Sequence, residues 1–291
     1  MTDVKSITGF FRIAASLSKI RITLSVTATT FTGYFIHSGT LSQEMLPLLA
    51  GIFFLAAGSS ALNHFQERET DAKMDRTKGR PVPAGLVSPR TVLLVTLAAL
   101  ISGAVILYMF MPFAVLILGL FNFFWYNGVY TPLKKLTAFA VIPGSVTGGV
   151  PPLIGWIAAG GEWTDTTIMV IVLFFIVGQI PHFWLLLLRY GREYENAGLP
   201  SLTSIFSYSQ INLISYAWIV AAVAASALLP AQRLITGPTL LIIYFSATTA
   251  LLIFTAYSNL SRQRKSSYRG PFISLNIFYL LIMILLIANS A

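Results

Sequence analysis

Four polar residues recur every four positions at the end of one apolar segment, and their types suit metal and phosphate chemistry. They are Asn63, Glu67, Asp71 and Asp75. If a helix runs through them, this spacing places all four on one of its faces. Mg²⁺ takes one or two protein carboxylates and completes its shell with water and substrate phosphate. The pattern therefore favours a magnesium site that receives a phosphorylated substrate.

Basic residues follow the acidic ones directly. Arg76, Lys78 and Arg80 carry charges that bind phosphate oxygens through charge-assisted hydrogen bonds. Acid and base beside an apolar segment suit a substrate with a diphosphate head and a hydrocarbon tail. The same residues would also suit a solvated helix end joined by ion pairs such as Glu69 with Lys73. Spacing alone leaves both interpretations open.

The composition predicts a membrane protein. Of 291 residues, 56% are hydrophobic and 10% are charged, and the mean hydropathy is +0.76. Soluble domains carry about 25% charged residues, so this chain cannot cover a water-facing surface. Without cysteine it cannot form disulfides, use a thiolate nucleophile or bind zinc or iron–sulfur clusters through thiolates. We interpret the net charge of +9 as loops that face anionic membrane lipid, with no nucleic acid as partner.

Nine segments are long and apolar enough to cross a bilayer, which takes about 20 residues. Residues 1–18 are expected to form an amphipathic helix on the membrane surface, and residues 19–291 a single transmembrane domain. The expected fold class is all-α, a polytopic membrane helix bundle of about nine transmembrane helices around a central chamber. The segments are residues 20–38, 44–64, 91–109, 111–130, 137–158, 167–188, 209–229, 237–257 and 271–290.

Lysine and arginine are divided unequally between the two sides of these spans. Of the 19 such residues, all but Arg233 fall on one side. Cytoplasmic loops are enriched in Lys and Arg, so the basic side is expected to be the cytoplasm. This predicts an integral protein of a cytoplasmic (inner) membrane with its N-terminus and active site on the cytoplasmic side and its C-terminus outside.

Five ordered sequence elements resemble one family. Asn63, Glu67 and Asp71, followed by Arg76-Thr77-x2-Arg80-Pro81, are similar to the first signature of the UbiA-type intramembrane prenyltransferase superfamily. Four more elements resemble its protoheme IX farnesyltransferase branch, and the five together cover about residues 60–205. They are Tyr130-Thr131-x2-Lys134-Lys135-x-Thr137, Gly148-Gly149-x-Pro151-Pro152-x-Ile154-Gly155-Trp156, Pro181-His182-Phe183-Trp184 and Glu193-Tyr194-x2-Ala197-Gly198-x-Pro200.

The resemblance implies Mg²⁺-dependent transfer of a farnesyl group from farnesyl diphosphate to heme B. Asn63, Glu67 and Asp71 would hold the metal and, with Asp75, form the catalytic set. The expected diphosphate-binding residues are Arg76, Arg80, Lys134, Lys135 and Arg189, and the expected acceptor-binding residues are His182, Trp184, Glu193 and Tyr194. Glu67 and Glu193 stand where the family usually has Asp, which moves each carboxylate by about one methylene.

Further expectations concern the acceptor. Gly148, Gly149 and Gly155 would make room for a flat ring, with Trp156 and Trp184 as stacking surfaces. The resemblance also implies association with heme A synthase or a terminal oxidase assembly.

Three alternatives are considered. The acceptor can be a quinone precursor or another aromatic compound, although the second acidic cluster lacks the Asp-x3-Asp of quinone-type relatives. His182 can be a packing histidine that contacts no acceptor. A secondary transporter also uses broken helices and buried charge, but transporters place ionisable groups near the bilayer midplane, and these spans are almost free of them.

Overall fold

The computed structural model describes residues 7–260 and 269–290, and within these ranges the regular structure is entirely helical. Among the described residues, helix α1 (Ile7–Leu17) precedes nine longer helices. These are α2 (Ile20–Ser38), α3 (Met45–Gln66), α4 (Pro89–Phe110), α5 (Phe113–Leu133), α6 (Val141–Ala158), α7 (Thr166–Asn196), α8 (Tyr208–Ala231), α9 (Pro238–Leu260) and α10 (Arg269–Ser290). Each overlaps one predicted span. Lys5, Arg262, Arg264 and Lys265, which support the predicted orientation, lie outside the described residues.

Eight of these nine helices are long and apolar enough to cross a membrane, within the part of the chain that the structure describes. The other one is α2, whose hydroxyl side chains lower its hydropathy. Those hydroxyls bond to carbonyls of the preceding turn; Thr27 Oγ1 donates to Thr23 O at 2.9 Å and Thr32 Oγ1 to Ala28 O at 2.9 Å. Such bonds satisfy polar groups in apolar surroundings. The prediction of an all-α membrane bundle is confirmed.

Helix α1 covers part of the predicted surface helix, whose residues 1–6 lie outside the described residues. Its Phe10 and Phe11 side chains are exposed. Leu17, near its end, is buried and packs with Ala61 of α3 and Val92 of α4. That α1 lies on a membrane surface stays a prediction.

Helices α2 and α6 pack with their backbones in contact. A Cβ atom on Gly155 would lie 1.9 Å from Thr30 O, and one on Gly33 would lie 1.9 Å from Pro152 O. Both obstacles are main-chain atoms, so no side-chain movement can relieve the clash. The expectation that Gly155 leaves room for a flat ligand is therefore wrong, because the backbone of α2 occupies that space.

Helix α5 changes from α-helical to π-helical hydrogen bonding near its C-terminal end. Residues 125–130 form a π-helical turn, which a one-turn α-helix (Thr131–Leu133) follows. Trp125 Nε1 donates to Pro143 O at 2.7 Å, and Asn127 Nδ2 donates to Ser59 Oγ of α3 at 2.6 Å. Such π turns are rare and frequent at functional sites. Here the turn directs the end of α5, with Lys134 just beyond it, toward the centre of the bundle.

Helix α7 is longer than a membrane span requires. It has 31 residues, about 46 Å at the rise of an α-helix, and continues past the predicted boundary at residue 188 to Asn196. Gly191 lets this extension pack closely on Thr203, because a Cβ atom there would lie 2.4 Å from Thr203 Oγ1. The extension carries Tyr190, Glu193 and Tyr194 over the end of the bundle.

Candidate active site

The bundle encloses a cavity of about 860 Å³. Helices α2, α3, α5, α6, α7 and α10 line it, and no described residue of α4, α8 or α9 does. Its charged residues lie at one end, where α2 begins and where α3 and α5 end. They are just outside the spans or in the first turn of a span. Basic residues outnumber acidic ones there. The charged lining residues are Lys19, Arg21, Glu67, Asp71, Arg76, Arg80 and Lys134. The rest of the wall is largely apolar, so the cavity suits a ligand with an anionic head and a hydrocarbon tail.

Glu67 and Asp71 lie on one face of a helix that breaks at Glu67 and then continues for one turn. Helix α3 ends at Gln66, and a one-turn helix (Arg68–Asp71) continues after Glu67. The Asp71 N–H donates to Glu67 O at 2.7 Å, which keeps helical spacing through the break. Glu67 and Asp71 thereby reach the cavity wall, and Asn63 lies buried immediately behind it.

The structure does not bring Asp75 to this face. The chain leaves the helix after Asp71 and continues through turns, because Lys73, Met74 and Thr77 donate backbone bonds only three residues back. Asp75 is exposed and accepts a bond from Lys78 Nζ at 2.6 Å. That partner lowers the pKa of the Asp75 carboxyl. The assumption of a continuous helix was wrong here, and so was the Glu69–Lys73 pairing, because Glu69 pairs with Arg68 at 2.9 Å.

A cation contacts each of the three predicted metal ligands. Lys19 Nζ donates to Asn63 Oδ1, and Lys134 Nζ forms an ion pair with Glu67 Oε1. The third pair joins Arg80 Nη1 to Asp71 Oδ2 at 2.6 Å, and the Asp71 side chain is only 1% exposed. These three cations come from three segments that are far apart in the chain: the α1–α2 joint, the end of α5 and the loop after α3.

These contacts set the charge states of the site. Burial alone would raise the pKa of Glu67, but Lys134 and Lys19 outweigh it and lower that pKa to about 2. Burial also acts to lower the pKa of Lys134, yet the adjacent Glu67 holds it well above its usual value. Burial lowers the pKa of Lys19 to about 7, against the opposing effect of Glu67. Glu67 and Lys134 are therefore both charged at neutral pH.

Of the five predicted diphosphate-binding residues, three line the cavity and two do not. Arg76, Arg80 and Lys134 line the cavity, and the Arg76 guanidinium lies 4.8 Å from the centre of the Tyr190 ring. Lys135 is exposed outside the cavity, with its Nζ 3.4 Å from Gln66 O. Arg189 is exposed and contacts the Tyr190 ring at 5.0 Å without lining the cavity.

Of the four predicted acceptor-binding residues, two line the cavity and two do not. His182 and Tyr194 line the cavity. Trp184 is buried outside it, edge-on to Trp218 with ring centres 6.0 Å apart. Glu193 lies behind the wall and accepts a bond from the Arg76 N–H at 3.1 Å, so it positions the loop that carries Arg76.

Trp156 does not offer a stacking surface. It is buried, with its ring 4.5 Å from His37 and its Nε1 donating to Glu162 O at 3.1 Å. Of the three glycines expected to admit a flat ring, only Gly148 lines the cavity. A Cβ atom on Gly149 would meet Ile176 at 2.7 Å, so that glycine serves helix packing.

Sequence reasoning missed several polar residues of the wall, among them Lys19, Gln179 and Asn276. Lys19 was counted only as one of the cytoplasmic charges, and a basic residue at the start of a span is too common to be a signal. Gln179 and Asn276 line the cavity from α7 and α10. They did carry a signal, since amides inside apolar spans generally need a polar partner or a cavity.

The donor set fits Mg²⁺. Two carboxylates and one amide oxygen are hard oxygen ligands, and Mg²⁺ bound by one or two carboxylates completes its octahedron with water and phosphate. Among the described residues no three His, Asp or Glu side chains cluster as a self-sufficient metal site.

Two proteins of known name are similar to this chain over nearly its whole length. The chain is 32% identical over 284 residues to a protein named protoheme IX farnesyltransferase from Oleidesulfovibrio alaskensis, with 96% of each chain covered. It is 31% identical over 295 residues to a protein of the same name from Thioalkalivibrio sulfidiphilus, with 99% of this chain and 95% of the other covered.

Solved structures show the same fold. A UbiA homolog from Archaeoglobus fulgidus bound to GPP and Mg²⁺ superposes with a TM-score of 0.73 at 16% identity, covering 96% of this chain and 98% of the other. A digeranylgeranylglyceryl phosphate synthase superposes with a TM-score of 0.77 at 17% identity and the same coverage. The UbiA prenyltransferase family matches residues 26–282, and this chain is a member of that family.

Proposed function

We propose that this prenyltransferase moves a farnesyl group from farnesyl diphosphate to a vinyl carbon of heme B, with addition of water, in a Mg²⁺-dependent reaction that forms heme O. The observation that carries the proposal is the cavity, in which two cation-paired carboxylates, Glu67 and Asp71, open onto a largely apolar interior. The relatives named protoheme IX farnesyltransferase, similar over nearly the whole chain, support heme B as the acceptor.

The charged end of the cavity would bind the diphosphate. Asn63, Glu67 and Asp71 would hold Mg²⁺, which when bound neutralises charge on the leaving group. Arg80 and Lys134 are already held in the wall by their carboxylate partners. Fixed cations stabilise negative charge as it develops during cleavage of the allylic C–O bond and need no reorganisation at that moment.

The walls beyond the charged end would protect the allylic carbocation. Tyr126 and Tyr130 line the cavity beside Lys134, with ring centres 5.5 Å apart. Aromatic faces attract cations, and an apolar wall excludes the water that would otherwise capture the cation early. Farther along, His182, Gln179 and Asn276 form the polar part of the wall, and we assign contacts with the acceptor to them.

A direct assay tests the substrate pair. Purified protein given heme B, farnesyl diphosphate and Mg²⁺ should yield a product heavier than heme B by one farnesyl group plus water, measured by mass spectrometry of the extracted heme. A parallel reaction with 4-hydroxybenzoate as acceptor serves as control. A farnesylated benzoate with unchanged heme B would refute the heme assignment and leave the prenyltransferase assignment intact.

The proposed location is a cytoplasmic (inner) membrane, with the N-terminus and the charged end of the cavity inside. Basic residues at that end support it, as do the nine long helices found within residues 7–260 and 269–290, since an odd number of spans puts the C-terminus outside. An alkaline phosphatase fused to the C-terminus should therefore be active, and a green fluorescent protein should be dark. The reverse result would contradict nine spans.

A further inference from the structure

Lys19 lies at a strained joint that is fixed to the candidate site. It connects α1 to α2 with φ 45° and ψ 53°, the left-handed region that side chains other than glycine rarely adopt. Neighbouring contacts fix the joint: the Ser16 carbonyl lies 3.0 Å from His64 Nε2, and Thr23 Oγ1 donates to Ser18 O at 2.6 Å. Such strain persists only where the surroundings determine the conformation, so the position of Lys19 is imposed by the fold.

The amine of Lys19 donates a hydrogen bond to Asn63 Oδ1, the oxygen that the proposed magnesium site needs. Asn63 Nδ2 donates to Thr131 Oγ1 at 3.1 Å, which turns the amide oxygen toward Lys19. Asn63 is fully buried, so its side chain has no room to present that oxygen elsewhere. A metal ion bound to Asn63 Oδ1 would lie close to the Lys19 ammonium, and repulsion between the two positive charges would drive the amine away.

The side-chain amine of Lys19 can turn while the backbone of the α1–α2 joint stays in place. Its amine ends a flexible four-carbon stem, and Lys19 itself lines the cavity where the diphosphate would lie. The amine repels a bare divalent cation and attracts a diphosphate, so its effects on the two ligands have opposite signs.

We propose that Lys19 is a positioning residue that holds the Asn63 oxygen until metal and diphosphate arrive together, and then turns its amine to the diphosphate. The proposal rests on the proposed function, because Asn63 as a metal ligand belongs to that function. It makes metal binding dependent on the diphosphate and couples both to the α1–α2 joint.

Binding of Mn²⁺, which stands in for Mg²⁺ and is followed by its electron paramagnetic resonance signal, tests the proposal without turnover. Lys19→Met keeps the stem and removes the amine. Compared with the unchanged chain, it should bind Mn²⁺ alone about tenfold more tightly and inorganic diphosphate, at fixed Mg²⁺, about tenfold more weakly. Arg12→Met on the exposed surface of α1 is the matched control and should change neither affinity.

The possible results of these binding measurements distinguish the role of Lys19 from the existence of the metal site. Unchanged affinities in Lys19→Met, or a loss of both, would overturn the role of Lys19 while the metal site stands. Failure of the unchanged chain to bind Mn²⁺ even with diphosphate would overturn the metal site and this inference together. If Lys19→Met fails to fold, Lys19→Gln, which retains a polar end at the joint, should show the same opposite changes in smaller degree.

Discussion

Replacing Lys134 by Met should reduce prenyl transfer at least about a hundredfold, whereas the same change at Lys135 should leave the rate within about threefold. Lys134 lines the cavity and pairs with Glu67; Lys135, the next residue, is exposed outside it. Removal of a fixed cation costs most in the transition state, where the leaving group gathers charge. The measurement is kcat with farnesyl diphosphate in purified protein.

The pair of variants is informative because the two residues are adjacent and identical in type. Equal losses would mean that the diphosphate lies across both lysines and that the cavity is not its site. The Lys134→Met variant should also release Glu67 from its partner, so a thermal unfolding curve for each variant should accompany the rates.

Asp71→Asn should lower turnover by about two to three orders of magnitude, and about tenfold more Mg²⁺ should restore little of it. Asparagine keeps the size of the side chain and an oxygen that accepts from Arg80, but it removes the charge that a divalent ion needs. Near-normal turnover would show that Asp71 is not a principal metal ligand.

Glu69→Gln is the matched control for Asp71→Asn. Glu69 lies two residues earlier, its side chain is 80% exposed, and its partner Arg68 is one residue away. Surface ion pairs of this kind contribute little to stability, so this variant should keep both its rate and its melting temperature. A comparable loss in both variants would point to damage to the loop rather than to the metal site.

The sequence predicted the spans and the first three residues of the acidic face for a clear physical reason. Hydropathy over about 20 residues is a strong signal, and a four-residue period is close enough to the helical repeat for Asn63, Glu67 and Asp71 to stay on one face. The period alone could not show where the helix ends. Asp75 lies past that end, where turns replace the helix and expose it.

Long-range partners could not be predicted from local spacing. Lys134 and Lys135 carry the same charge and are adjacent, yet only Lys134 of the two lines the cavity, a difference that the local sequence does not reveal. Trp184 belongs to a motif with His182, yet residues two positions apart on a helix are rotated by about 200°, so one lines the cavity and the other packs on Trp218. Lys19 contacts Asn63 across 44 residues.

The contact between α2 and α6 limits how this enzyme can change its substrate range. Gly33 and Gly155 bring main-chain atoms together, so the dimension of the chamber along this wall is set by backbone that no rotamer can adjust. Side chains on the other walls, such as Gln179 and Tyr279, have several rotamers and can be exchanged. The spacing of α2 and α6 therefore stays constant, and adaptation to a longer prenyl chain or a bulkier acceptor must arise in the side chains that line the cavity.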